Sequence, residues 1–189
     1  MPFEECRKIN SLMSNFKQPW YIAGGWAIDL YLGKITRQHG DIEIALFRDD
    51  QFSLKDYLKS WDIRKVEDQE LKSWETEFLA QPIHELHASN WKTGDKFEIL
   101  LNETDGCNWR YRRDNRVEMT LKNVGSFNES GIPYLKPEIV LLYKSKNIRT
   151  KDQLDFLGVL DKLTPKQKKW LRVALSLQDS YHPWLEKLI

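Results

Sequence analysis

Apolar residues recur at spacings of three and four over Phe3, Cys6, Ile9, Leu12, Met13 and Phe16, which predicts an amphipathic helix across residues 3–16. Pro19 closes it, and the apolar run Trp20, Tyr21, Ile22 and Ala23 reads as a strand that delivers the chain into Gly24-Gly25. Trp26, Ala27, Ile28, Leu30, Tyr31 and Leu32 then continue as a helix that turns at Gly33. Asp41-Ile42-Glu43-Ile44-Ala45-Leu46 alternates; a period of two places Asp41 and Glu43 on one strand face and Ile42 and Ile44 on the other. A further helix, capped by Asp49 or Asp50, is expected to bury Phe52, Leu54, Tyr57 and Leu58 ahead of a strand from Trp61 to Val66. Residues 67–95 lose the pattern and predict an exposed loop, with strand material near Ile83 to Ser89.

Lys96-Phe97-Glu98-Ile99-Leu100-Leu101 is the clearest strand of the second half, interrupted at Glu98 by a charge; residues 102–118 read as a turn and a short exposed strand. Beyond Ile132 the period becomes helical. Pro137 suits a first helical position and Glu138 the first turn. Ile139, Val140, Leu142 and Tyr143 mark one helix, Leu154, Phe156, Leu157 and Leu160 a second, and Thr164 caps a third that turns Trp170, Leu171, Val173, Ala174 and Leu175 inward. The fold class is therefore α+β: a mixed sheet of about five strands flanked by helices, then a helical C-terminal region that closes one side of a cleft. The expected boundary separates residues 1–125 from 126–189.

Composition narrows the function more than the fold. With 29 Lys plus Arg against 28 Asp plus Glu, the net charge of +1 disfavours long nucleic acid as a partner. Cys6 and Cys107 form no metal or disulfide framework, no apolar run approaches membrane-spanning length, and the charged N-terminus is no signal peptide, so a cytoplasmic protein is expected.

Paired glycines at a strand-to-helix turn let a phosphate approach bare N–H groups at the positive end of a helix. Two carboxylates on one strand face are tolerable when solvent fills that face or a cation sits between them, and beside a phosphate-receptive turn that cation is Mg²⁺. Gly24-Gly25-Trp26 followed by Arg37-x-His39-x-Asp41-Ile42-Glu43-Ile44 resembles the nucleotidyltransferase signature of the DNA polymerase beta superfamily, and more closely the aminoglycoside and lincosamide nucleotidyltransferases. Glu43 stands where Asp is commoner, and Gly-Gly replaces Gly-Ser. The resemblance spans nearly the whole chain, with a softer match from Gly131 to Phe156 and at His182-Pro183-Trp184.

The resemblance implies a nucleotidyltransferase catalytic domain over residues 1–125 and a Mg²⁺-dependent transfer of a nucleoside monophosphate, AMP from ATP or another, onto a hydroxyl of a small molecule such as an aminoglycoside-type antibiotic. Asp41, Glu43 and a third carboxylate would hold two Mg²⁺ ions, the third acid also acting as base; Glu98 is the choice, with Glu103 and Asp95 as alternatives. Gly24, Gly25, Arg37, His39, Lys144 and Lys146 are the expected nucleotide contacts, though Lys144 and Lys146, two apart, cannot share a helix face. Arg37 serves equally as a neighbour neutralising Asp41. From Trp61 to Asp105 eleven acids face five Lys plus Arg, and from Lys136 to Ile189 the balance is eleven Lys plus Arg to six acids, a distribution that suits a cationic acceptor beside an anionic nucleotide. Trp74, Trp91 and Trp109 are candidate pocket walls or core. Competing readings are a nucleotide-binding sensor or antitoxin-like partner without turnover, and modification of a protein or RNA hydroxyl by the same chemistry.

Overall fold

A computed structural model describes residues 2–189. Helix α1 (Glu4–Leu12) buries Cys6 and Ile9, and burial pushes the Cys6 thiol up to about 12, which leaves it inert. Strand β1 (Trp20–Ile22) leads into α2 (Gly24–Leu32), which is buried at Gly25, Ala27, Ile28, Asp29 and Leu30 and so is an interior helix; Gly33, left-handed at φ 70°, ends it. Strand β2 (Glu43–Phe47) follows, then a 3₁₀ turn at Arg48–Asp50 and α3 (Gln51–Tyr57). Neither Asp49 nor Asp50 makes the expected capping bond, because the 3₁₀ turn feeds the helix directly, and Phe52 faces out while Leu54 and Leu58 are buried.

The sheet has ten strands rather than about five. Strand β3 (Asp62–Glu67) turns through Asp68 and Gln69, both at positive φ, into β4 (Glu70–Ser73); β5 (Glu85–Ser89) and the long β6 (Lys96–Asp105) form the next hairpin. The short strands β7 (Asn108–Arg110), β8 (Glu118–Thr120), β9 (Gly125–Phe127) and β10 (Pro133–Leu135) complete it. The order is β4-β3-β5-β6-β2-β1-β10-β9, with β7 and β8 laddered onto the far end of β6. β2 pairs parallel with β6 and β1 parallel with β10; the remaining pairs are antiparallel. Trp109 on β7 is fully buried, so that segment is core rather than an exposed strand.

Because β9 and β10 lie in the sheet, the all-helical part starts at Pro137: α4 (Pro137–Lys144), α5 (Thr150–Leu160) and α6 (Pro165–Gln178), the last opened by a capping box between Thr164 and Gln167. α4 packs on α2, α5 and α6, and α5 also reaches α2. Leu171, Ala174, Leu175 and Phe156 are buried, whereas Val173, Leu154 and Leu157 face out. Trp184 stacks flat on Phe156 at 4.2 Å and donates its indole N–H to Gln153 (2.8 Å), fixing the C-terminus against α5. Among the described residues no helix is long and apolar enough to cross a membrane.

Candidate active site

Gly24 and Gly25 are required by what lies against them. Gly24 has φ 58°, and a Cβ there would come within 1.5 Å of Glu43 Oε2; a Cβ on Gly25 would lie 2.2 Å from the Arg37 guanidinium and 2.6 Å from the His39 ring. The start of α2 is thus pressed against one strand carboxylate, the Arg37 guanidinium and the His39 ring, and only glycine permits that approach.

The parallel pairing of β2 with β6 sets Glu43 directly opposite Glu98, while Phe97 and Ile99 on the alternate positions are buried in the core. Asp41 lies just before β2 and is exposed. The Glu43 carboxylate is half-buried and makes no hydrogen bond or ion pair among the described residues. Burial raises its pKa, against the pull of Lys144, Lys151 and Arg149. Glu98 is raised as well, first by burial and then by the charges of Glu43, Glu85 and Asp41, with His87 opposing. Two half-buried carboxylates side by side, one of them without a partner, form a set of hard oxygen donors that fits a divalent cation such as Mg²⁺.

The hairpin β5–β6 adds two donors that sequence periodicity did not assign. His87 sits opposite Glu98 in register; its Nε2 bonds Glu85 Oε1 at 2.8 Å and lies 3.9 Å from Glu98 Oε1. Glu85, His87 and Glu98 are the one three-donor cluster within 4.8 Å among the described residues; Asp41, Glu43 and Glu98 do not come together to that distance. The alternation of His84, Leu86 and Ala88 with Glu85, His87 and Ser89 was visible, but placing it against Glu98 needs the turn at Asn90–Asp95.

The alternative third acids are otherwise engaged or remote. Glu103 is forked onto the buried Arg48 at 2.6–3.0 Å, and Arg48 also donates to the Leu79 and Ile83 carbonyls, holding the loop after β4 on the sheet. Asp95 is exposed at the β5–β6 turn.

The expected phosphate contacts divide. Arg37 does not neutralise Asp41; its guanidinium is forked onto Asp155 of α5 at 3.0 and 3.1 Å, which raises its pKa. His39 bonds the buried Asp29 at 2.7 Å and packs on Trp26, and Thr36 donates to the same carboxylate, so Asp29 ties the loop back to α2. Lys144 points into the cleft, bridging Asp152 and Asp155 at 2.9 and 3.0 Å, whereas Lys146 is exposed beyond α4 and takes no part in the cleft wall. Arg149 and Lys151 occupy the wall instead, Arg149 forked onto Asp152. Burial works against ionised Asp152, but its bonds to Arg149 and Lys144 prevail and lower its pKa.

These groups line a cleft of about 490 Å³. A second cleft of about 850 Å³, walled by Trp26, Trp61 and Phe97, reaches His39, Asp41 and Glu98 from the neighbouring end of the strands. Trp74 and Trp109 are core and Trp91 is 81% exposed; none lines either cleft. The acid excess of residues 61–105 falls largely on the outer β3–β4 hairpin and the loop after it, where Glu67, Asp68 and Glu77 pair with Lys65 and Lys72. Of the acids in that segment, Glu85 and Glu98 alone reach the first cleft.

A mixed sheet carrying facing carboxylates beside a glycine turn, with helices closing a cationic cleft, defines a nucleotidyltransferase. The chain belongs to the aminoglycoside-2''-adenylyltransferase family, whose model matches residues 5–157. Its fold is similar to the solution structure of the antibiotic-resistance factor ANT(2'')-Ia, with a TM-score of 0.62 at 15% identity over 96% of each chain. The crystal structure of ANT(2'')-Ia with adenylyl-2''-tobramycin gives 0.60 at 16% identity, over 91% of this chain and 95% of that one. The lincomycin-bound lincosamide antibiotic adenylyltransferase LnuA gives 0.57 at 18% identity, over 84% of this chain and 96% of its own. No curated protein matches the chain by sequence.

Proposed function

We propose that the chain transfers a nucleoside monophosphate, AMP from ATP, onto a hydroxyl of a small molecule in a Mg²⁺-dependent reaction, aminoglycoside-type antibiotics being the acceptor class the family suggests. The observation that carries this reading is the half-buried, unpartnered Glu43 carboxylate, in register with Glu98 and in contact with the glycine turn. Asp41, Glu43 and Glu98 would hold the metal, which supplies charge neutralisation at the α-phosphate and at the leaving pyrophosphate.

The chain's own residues do the positioning. Gly24 and Gly25 admit the β- and γ-phosphates to the start of α2, and Arg37, Lys144, Arg149 and Lys151 face their charge. The acceptor oxygen forms its bond to the α-phosphorus as the bond to pyrophosphate breaks, and Glu98, whose raised pKa suits a base, receives the hydroxyl proton.

The test is pyrophosphate release from ATP and Mg²⁺ with a panel of hydroxylated acceptors. Release should require all three components, and Glu98→Gln should cut turnover by roughly two to four orders of magnitude with nucleotide affinity unchanged. Near-normal turnover in that variant would remove Glu98 from the role of base.

A further inference from the structure

Two clefts meet at the candidate carboxylates, and His39, Gly40, Asp41 and Glu98 line both. Along β6 the clefts diverge, the first running from Glu98 to Leu100, Leu101 and Asn102 and the second from Glu98 back to Phe97, Lys96 and Asp95. Strand β5 repeats the division, with His84 and Glu85 in the first cleft and His87, Ala88 and Ser89 in the second. The glycine turn, Lys144, Arg149 and Lys151 belong to the first cleft alone. Charge divides in the same sense: six Lys plus Arg and four acids line the first cleft, three Lys plus Arg and five acids the second. Two of the second cleft's cations are paired within it, Lys8 with Glu5 at 2.9 Å and Arg64 with Asp62 at 2.8 Å. Asp95 is exposed, and its carboxylate makes no hydrogen bond or ion pair among the described residues. Trp61 lines the same cleft, packed edge-on against Phe97 at 5.3 Å and only half-buried.

We propose that the second cleft is the binding site of the acceptor, and that Asp95 and Trp61 select there for a hydroxylated amine, Asp95 by facing an ammonium group and Trp61 by covering the apolar side of a ring. This rests on the transfer reaction proposed above and locates its second substrate. In-line displacement requires the entering oxygen to approach the α-phosphorus from the side away from the departing pyrophosphate. With the nucleotide in the cationic first cleft, the approach to Glu98 that stays free is the second cleft. Asp95 is three residues from Glu98, about 10 Å at roughly 3.3 Å per residue, so a molecule with its hydroxyl at Glu98 reaches Asp95 with an amine one ring away. The excess of acid favours a cation over a second anion, and a volume of about 850 Å³ suits a molecule of several rings. An aromatic wall next to a carboxylate is the pairing that an amino sugar needs, because its ring carries apolar C–H faces and its substituents carry charge.

The test is calorimetric titration of the protein, saturated with Mg²⁺ and a non-hydrolysable ATP analogue, with tobramycin and, separately, with lincomycin, both hydroxylated amines, alongside steady-state pyrophosphate release from ATP. Wild type should bind at least one of the two. Asp95→Asn removes a charge but no hydrogen bond or ion pair, so the fold is kept. It should weaken acceptor binding and raise the acceptor KM about tenfold at low salt, with kcat and analogue affinity unchanged and a smaller effect at high salt. Asp95→Glu should retain most of the affinity. Ser89→Arg, which sets bulk and positive charge into the same cleft from an exposed position on β5, should weaken acceptor binding further. Wild-type acceptor affinity in both Asp95→Asn and Ser89→Arg would overturn the site. So would a fall in kcat at unchanged KM in Asp95→Asn, which would make Asp95 the third acid, and so would failure of wild type to bind either amine. Turnover reads the transfer separately: amine binding that depends on Asp95 without pyrophosphate release would refute the transfer and keep the site, whereas normal turnover and affinity in both variants would do the reverse.

Discussion

Replacing Gly24 by alanine separates the two reasons for glycine at this turn, because Gly33 provides a control. Both residues have positive φ, 58° and 70°, but a Cβ on Gly33 meets nothing within 4 Å, while one on Gly24 would overlap the Glu43 carboxylate. Left-handed backbone costs an alanine about 1–2 kcal/mol. For a chain of this size each kcal/mol moves the melting temperature by roughly 2–4 °C. Both variants should therefore melt lower by a similar margin. Gly24→Ala has a second effect: the new methyl group must expel the Glu43 carboxylate from its place opposite Glu98. If Glu43 holds the metal as proposed, displacing it by about an ångström costs on the order of a hundredfold in rate. Pyrophosphate release by Gly33→Ala should remain near wild type, and that by Gly24→Ala should fall about a hundredfold at saturating substrate. Equal activities in two equally destabilised variants would show that the Gly24–Glu43 contact has no part in the reaction.

Glu43 should also mark itself in the pH dependence of stability. Burial raises its pKa, so the folded state favours the neutral carboxyl; that stabilisation is complete below the ordinary carboxylate range and is lost as pH climbs through the raised value. Glu43→Gln is neutral throughout, so in metal-free buffer its melting temperature should rise above that of wild type increasingly from acid to neutral pH; parallel melting profiles would contradict the assignment. Glu103→Ala strands the buried Arg48 and should cost about 3–5 kcal/mol in denaturant titration while turnover per folded molecule is kept, the reverse of the pattern expected for Glu98.

The parts of the site legible in the sequence are those fixed by local period. Alternation over 41–46 and 96–101 put Glu43 and Glu98 on strands, though Asp41, expected on the first of them, lies just before it, and the glycine pair after an apolar run located the start of α2. What periodicity could not supply was which strand lies beside which. The parallel pairing of β2 with β6 joins Glu43 to Glu98 across more than fifty residues, and the hairpin turn at Asn90–Asp95 brings His87 and Glu85 alongside. The β3–β4 hairpin escaped notice because Asp68-Gln69 turns with two left-handed residues and no glycine, and β7 to β10 are each three residues long, too short to show a period. Lys144 and Lys146 were indistinguishable as sequence; α4 ends between them and turns only the first into the cleft. Asp95 carries no periodic signal, and only the surrounding fold shows that it borders the second cleft.

Asp152 and Asp155 hold Arg37, Lys144 and Arg149 in a lattice of five charges that spans from the loop before β2 to α5. Under the proposed function these two acids are placeholders for phosphate: they keep three cations aimed at one region without mutual repulsion. An arriving nucleotide then competes with internal anions for cations that are already in position. Its net gain in binding is smaller than three fresh ion pairs would give, but little conformational entropy remains to be lost on capture. The same competition favours departure, because the acids are there to reclaim the cations as pyrophosphate leaves, and a cleft built this way exchanges its anion instead of trapping it.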